Sequence, residues 1–65
     1  MDHAARVTFI QAQVACMMAE LEAMKAENRV REIQGLSPTY GEQQFLALQE
    51  KYLVSHNAVI EYLRD

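Results

Sequence analysis

The sequence predicts an all-α protein, an antiparallel two-helix hairpin that dimerises into a four-helix bundle. Three observations carry that expectation. Residues 2 to 34 contain neither proline nor glycine and are crowded with alanine, methionine, leucine, glutamate and glutamine, which are good helix formers. A stop signal, "IQGLSP", occupies positions 33 to 38. Apolar residues then recur along two opposed sides of the first helix, which is more surface than one neighbouring helix can cover.

The first helix is expected over residues 2–34, with Asp2 capping its start. Gly35 can take the left-handed conformation that follows a helix, Leu36 can fold back on Val30, and Pro38 forbids continuation, which defines a turn at 35–38. The second helix is expected over 39–64, from one of two starts. Ser37 precedes a proline suited to the first helical position, and Thr39-Tyr40-Gly41-Glu42 fits the T-x-x-E capping box. At 1.5 Å of rise per residue the rods are about 48 and about 37 Å long. So short a link between them forces an antiparallel hairpin. Residues 1–65 form a single helical-hairpin domain, without internal repeat or low-complexity linker.

Val7, Ile10, Val14, Met17, Leu21, Met24 and Asn28 alternate spacings of 3 and 4, the seam of a helix packed lengthwise on another. A second series, Phe9, Ala12, Cys16, Ala19, Ala23, Ala26, Val30 and Ile33, keeps the same rhythm on nearly the opposite side, with mostly small residues. Either face can meet the hairpin mate. The second helix offers one stripe: Phe45, Leu46, Leu48, Tyr52, Leu53, Val59, Ile60 and Leu63. A second copy of the hairpin is the simplest cover for the remaining face, giving a two-fold homodimer. The competing reading is that the alanine side is a solvated face rich in helix formers. Phe9, Cys16, Val30 and Ile33 count against it. Asn28 either fixes register within the seam or marks its frayed end. His56, in the stripe two turns after Gln49, reads as a hydrogen-bonded core or interface residue, or more sharply as a pH-sensitive contact.

A 65-residue chain has difficulty stabilising itself, and one cysteine provides no internal disulfide. The formal charge of −3 and pI near 5.2 oppose nucleic-acid binding, because only six lysines and arginines are present and acids are interleaved among them. No apolar run reaches the roughly 20 residues that cross a bilayer. The opening "MDHAARVTF" carries an acid and a histidine where a signal peptide has a basic stretch, so a cytoplasmic location is expected, as is no membrane partner.

No catalytic, cofactor or metal-binding constellation is visible, and an enzyme is not expected. Cys16 has no adjacent histidine and reads as a small buried side chain; His3 and His56 lack ligands at helical spacing, and the two glycines make no phosphate loop. The charges read as solvated surface, with Glu27–Arg31 and Glu22–Lys25 pairs and a modest basic cluster of Lys25, Arg29 and Arg31.

Tyr40 has two readings. A tyrosine at the exposed end of a bundle, beside Leu36 and Pro38, is suited to docking a partner; it can equally be structural, folded over the helix ends. On the first reading Leu36, Thr39, Tyr40 and Gln44 form the contact, with Ala47, Val54 and Ala58 as a second, weaker patch.

The short, acidic chain with its alanine-rich first helix, "GLSPTYGEQ" turn and aromatic second helix resembles the small anti-activator proteins made early by Mu-like temperate phages of Pseudomonas. The resemblance implies a dimeric helical hairpin that binds and inhibits a LuxR-type quorum-sensing regulator and the ATPase of type IV pilus assembly, with Tyr40 and its neighbours contacting the host target. Two other readings compete. One is a scaffolding protein that acts through self-association. The other is a small dimeric DNA-binding regulator, which the acidic charge opposes.

Overall fold

The computed structural model describes residues 2–64. All regular structure among them is helical, arranged as two rods of which the second is bent: α1 (His3–Ile33) forms the first, and α2 (Glu42–Lys51) and α3 (His56–Leu63) together form the second. Asp2 caps α1, its Oδ1 accepting from the Ala5 amide at 2.7 Å. At the other end Gly35 takes φ +75°, so that its amide reaches the Glu32 carbonyl and the Leu36 amide reaches that of Arg31. These paired bonds close the last turn of the helix as a Schellman motif. Leu36 and Val30 both remain exposed.

Neither expected start of the second helix is used. Asn28 holds Tyr40 in an extended stretch, so the chain cannot enter a helix until Gly41, which becomes the N-cap of α2. Gln44 Oε1 then accepts from the Gly41 amide at 2.9 Å, the only half of a capping box that a glycine can join.

The larger difference is a break in the expected 39–64 helix. α2 ends at Lys51, Leu53 takes φ +57°, and its amide and that of Val54 bond the carbonyls of Glu50 and Gln49. The geometry repeats the stop at Gly35, but with a leucine in the left-handed position, at about 1–2 kcal/mol of backbone strain. Ser55 restarts the helix, its Oγ accepting from the Ala58 amide. Packing of α3 against α1 offsets the strain: Tyr62 stacks on Phe9 at 5.3 Å between centroids, and Arg6 donates to the Arg64 carbonyl.

The break also resets which side chains face inward. His56, expected in the apolar stripe, is exposed in the first turn of α3. Val54 and Ala58, expected on the outward side, are half-buried, whereas Leu53 and Ile60 are exposed.

The bulky seam of α1 is the one that meets the second rod. Val7, Ile10, Val14, Met17, Leu21 and Asn28 are half-buried and Met24 is buried, against Phe45, Leu48, Tyr52 and Val59 of the second rod, which are also covered wholly or in part. Every member of the small-residue series is exposed, including Phe9 and Cys16. The molecule measures 50 × 17 × 10 Å, so it is one helix thick. Its radius of gyration of 15.0 Å exceeds the roughly 10.7 Å of a compact chain this long. Among the described residues, Met24 and Leu48 are the only buried apolar ones.

The two left-handed positions make opposite predictions. Leu53→Gly should raise stability by about 0.5–1 kcal/mol, as relief of strain outweighs the greater unfolded freedom of glycine, and Gly35→Ala should lower it by about 1–2 kcal/mol. Thermal melts at one fixed protein concentration measure both. A melting point lowered by Leu53→Gly would show that the break is not strained.

Candidate functional site

A polar ladder runs beside the bulky seam of α1. Arg6, Gln13, Glu20 and Glu27 recur every seventh residue, which keeps them on one edge of the helix; the first three reach the second rod and the last faces the turn at Tyr40. Arg6 donates to the Arg64 carbonyl at 3.2 Å, and Gln13 Nε2 donates to the Tyr52 carbonyl at 3.1 Å, which lies in the break and has no helical partner. Glu20 Oε1 accepts from Lys51 Nζ at 2.6 Å and from the Tyr52 hydroxyl at 3.0 Å. The Glu27 carboxylate faces Tyr40 closely enough to raise the pKa of its hydroxyl.

The charges respond accordingly. The hydrogen bond from Lys51 holds the Glu20 carboxyl below its usual range, against the opposing effect of partial desolvation. The bond to Glu20 raises Lys51 and Tyr52, and the nearby Glu27 carboxylate raises Tyr40.

Tyr40 is fixed by its backbone as well. The Asn28 side-chain amide donates to its carbonyl at 2.8 Å and accepts from its amide at 3.0 Å, reproducing the pairing of a neighbouring strand. Arg31 Nε donates to the Ser37 carbonyl at 2.6 Å, which secures the preceding residues. The turn is therefore an ordered platform projecting from α1. Leu36 and Thr39 lie exposed along it, while Tyr40 and Gln44 line a groove.

That groove, of about 550 Å³, opens on one flat side of the hairpin between α1 and α2. Met24 and Leu48 form its floor. Its walls are low because Ala23 and Ala47 stand where larger side chains would fill it. Polar groups bound both ends, Glu20 with Lys51 at one and Glu27 with Tyr40 and Gln44 at the other. An apolar floor with oriented polar ends suits a protein side chain or a short helical segment.

The opposite side has a smaller hollow of about 400 Å³ beside Phe45, where Lys25 and Arg29 alternate with Glu22 and Glu32. Lys25 pairs with Glu22 at 3.2 Å as expected, so this hollow is mixed in charge. The expected Glu27–Arg31 pair does not form: Arg31 bonds the Ser37 carbonyl and Glu27 faces Tyr40.

Cys16 is a free, exposed thiol, where a buried one was expected. His3 and His56 stand at the starts of different helices. Among the described residues no group of three histidine, cysteine or acidic side chains is placed to hold a metal, and no helix is long and apolar enough to cross a membrane.

Glu20, Gln13 and Lys51 carry much of this geometry and were not singled out from the sequence, and Glu27 was expected only as a surface partner of Arg31. Their available signal was the seven-residue recurrence of polar groups beside an apolar seam, which ordinary solvated charges also produce. No family model matches the chain, and no curated protein or solved structure matches it.

Two measurements test the clamps. Asn28→Ala leaves both Tyr40 backbone groups without this partner and should lower stability by about 1–3 kcal/mol. Asn28→Asp, which can still accept from the amide, should fall between. Urea titration at constant protein concentration distinguishes them, and a loss for Asn28→Ala no larger than for an exposed-site control would remove the clamp. The second concerns pH. Because the Glu20 pKa is depressed from its ordinary 4.5, the stability it contributes is present above that value and declines as pH falls through the folded-state pKa. Glu20→Gln should flatten that part of the acid-denaturation profile; an unchanged slope would contradict the linkage.

Proposed function

We propose that this protein acts without chemistry of its own, by binding other proteins as a homodimer of two hairpins packed into a four-helix bundle. The groove beside the Tyr40 turn is the single observation that carries the reading: an apolar floor opened by Ala23 and Ala47, with charged and hydroxyl groups at its two ends. Tyr40 is both structural and available, since its backbone is clamped while its ring lines the groove. A preordered aromatic side chain at the rim reduces the entropy cost of association.

The resemblance of the chain to phage anti-activators supplies the target class. In this proposal the protein is a phage-encoded inhibitor in the host cytoplasm that occupies the working surface of a LuxR-type quorum-sensing regulator or of the type IV pilus assembly ATPase. Leu36, Thr39, Tyr40 and Gln44 belong to the contact. A second reading, self-association as a scaffold, is favoured by Leu46, Leu53 and Ile60, large apolar residues left exposed along the second rod.

Titration calorimetry with the purified regulator and the purified ATPase tests the first reading. Ala47→Trp should fill the groove and weaken binding at least about tenfold, as should Tyr40→Ala, with helicity by circular dichroism retained. Wild-type affinity in Ala47→Trp would exclude the groove, and absence of binding to both targets would exclude the proposed target class. Light scattering that shows growth beyond a dimer would favour the scaffold.

A further inference from the structure

The exposed side of α1 bears on how a second copy would dock. The chain has 4991 Å² of accessible surface, about 740 Å² more than the roughly 4,250 Å² expected of a 7.5 kDa monomer. That surplus is close to the roughly 800 Å² that each partner buries in a standard protein interface. Apolar surface is available for it along α1, since Val30 is 53% and Ile33 76% exposed and Phe9, although stacked on Tyr62, is 39% exposed.

This face is also self-complementary when reversed. Its positions are symmetric about residue 21, so turning the helix end for end sets Phe9 against Ile33, Ala12 against Val30, Cys16 against Ala26 and Ala19 against Ala23. Large residues then meet at both ends and small ones at the centre. A parallel pairing would instead stack Phe9 on Phe9 and Ile33 on Ile33, spreading the helices at their ends and leaving the alanines between them unfilled.

The charges nearest the centre do not oppose a close approach, because each acid already has an intrachain cation. Glu20 bonds Lys51 at 2.6 Å and Glu22 bonds Lys25 at 3.2 Å. No lysine or arginine lies on the face itself, so nothing there would have to be desolvated without a partner.

We infer that a second copy of this chain packs antiparallel on the exposed face of α1, about a two-fold axis at Ala19 and Ala23, with Cys16 of each protomer opposite Ala26 of the other. The inference rests on the homodimer proposed above and names its contact face and direction. Ala23 belongs both to this face and to the wall of the groove, so the dimer contact borders the proposed docking site.

Disulfide mapping on the full chain, paired with sedimentation, tests the arrangement. The alanines permit an interaxial distance near 8 Å, and a disulfide requires Cα atoms within about 7 Å, so only residues directly opposed can bridge. Ala26→Cys, with the native Cys16 retained, should shift under mild oxidation to a covalent dimer that a reductant reverses. The unsubstituted protein should not, because in the antiparallel register its two Cys16 residues lie about 15 Å apart along the axis. Ala19→Cys with Ala23→Cys, in a Cys16→Ala background, provides a second bridge should the first variant fold poorly. Cross-linking of the unsubstituted protein through Cys16 would overturn the antiparallel direction. A dimer by sedimentation with no bridge from either variant would overturn this face while leaving the homodimer standing. A monomer at all concentrations would remove both.

Discussion

A layer one helix thick can bury side chains only along the line where its two rods touch, and the rest of this structure depends on that constraint. With a thickness of 10 Å the hairpin has one internal seam, and α1 uses it for its bulky residues, from Val7 to Met24. Bulk on the inside yields the most contact per residue where contact is scarce. Met24 and Leu48, the most enclosed pair, lie near the closed end of the hairpin and also form the groove floor.

Because so little apolar burial is available, polar contacts do much of the positioning. Arg6, Gln13, Glu20 and Glu27 form a ladder along the seam edge, and Asn28 holds the turn beyond it. Three of these five act on backbone groups beyond α1, and they do so where the chain is not helical or a helix is ending: the turn at Tyr40, the break at Tyr52 and the last residues at Arg64. The long, regular helix thus supplies partners for backbone groups that the irregular segments leave open, which is the condition for keeping those segments ordered. The groove follows from the same arrangement. It lies between two clamped points, Glu20 with Lys51 and Asn28 with Tyr40, and the intervening alanines leave it open.

The strained backbone position lies in the second rod. Gly35 and Leu53 perform the same stop, but only the first was recognisable, because glycine is the residue associated with a left-handed backbone. Ser55 was a usable sign of a restart, overshadowed by the apolar periodicity around it. The break turns Val54 and Ala58 inward and exposes His56, and it lets α3 place Tyr62 on Phe9 near the N-terminal end of α1. A straight helix would have kept the apolar register expected of residues 39–64.

The sequence by itself determined the helical class, the capped start at Asp2, the turn after Ile33 and the existence of two opposed apolar faces on α1, because each follows from local backbone preference or from periodicity along one chain. Tertiary structure alone decided which face turned inward, where the second rod bent and what Asn28 and Tyr40 hold. Those outcomes depend on competition between rods: the side-chain amide of Gln13, in the third turn of α1, finds a carbonyl thirty-nine positions away, and a leucine accepts a strained backbone in return for the packing of the helix that follows. No window along a single chain contains both sides of such an exchange.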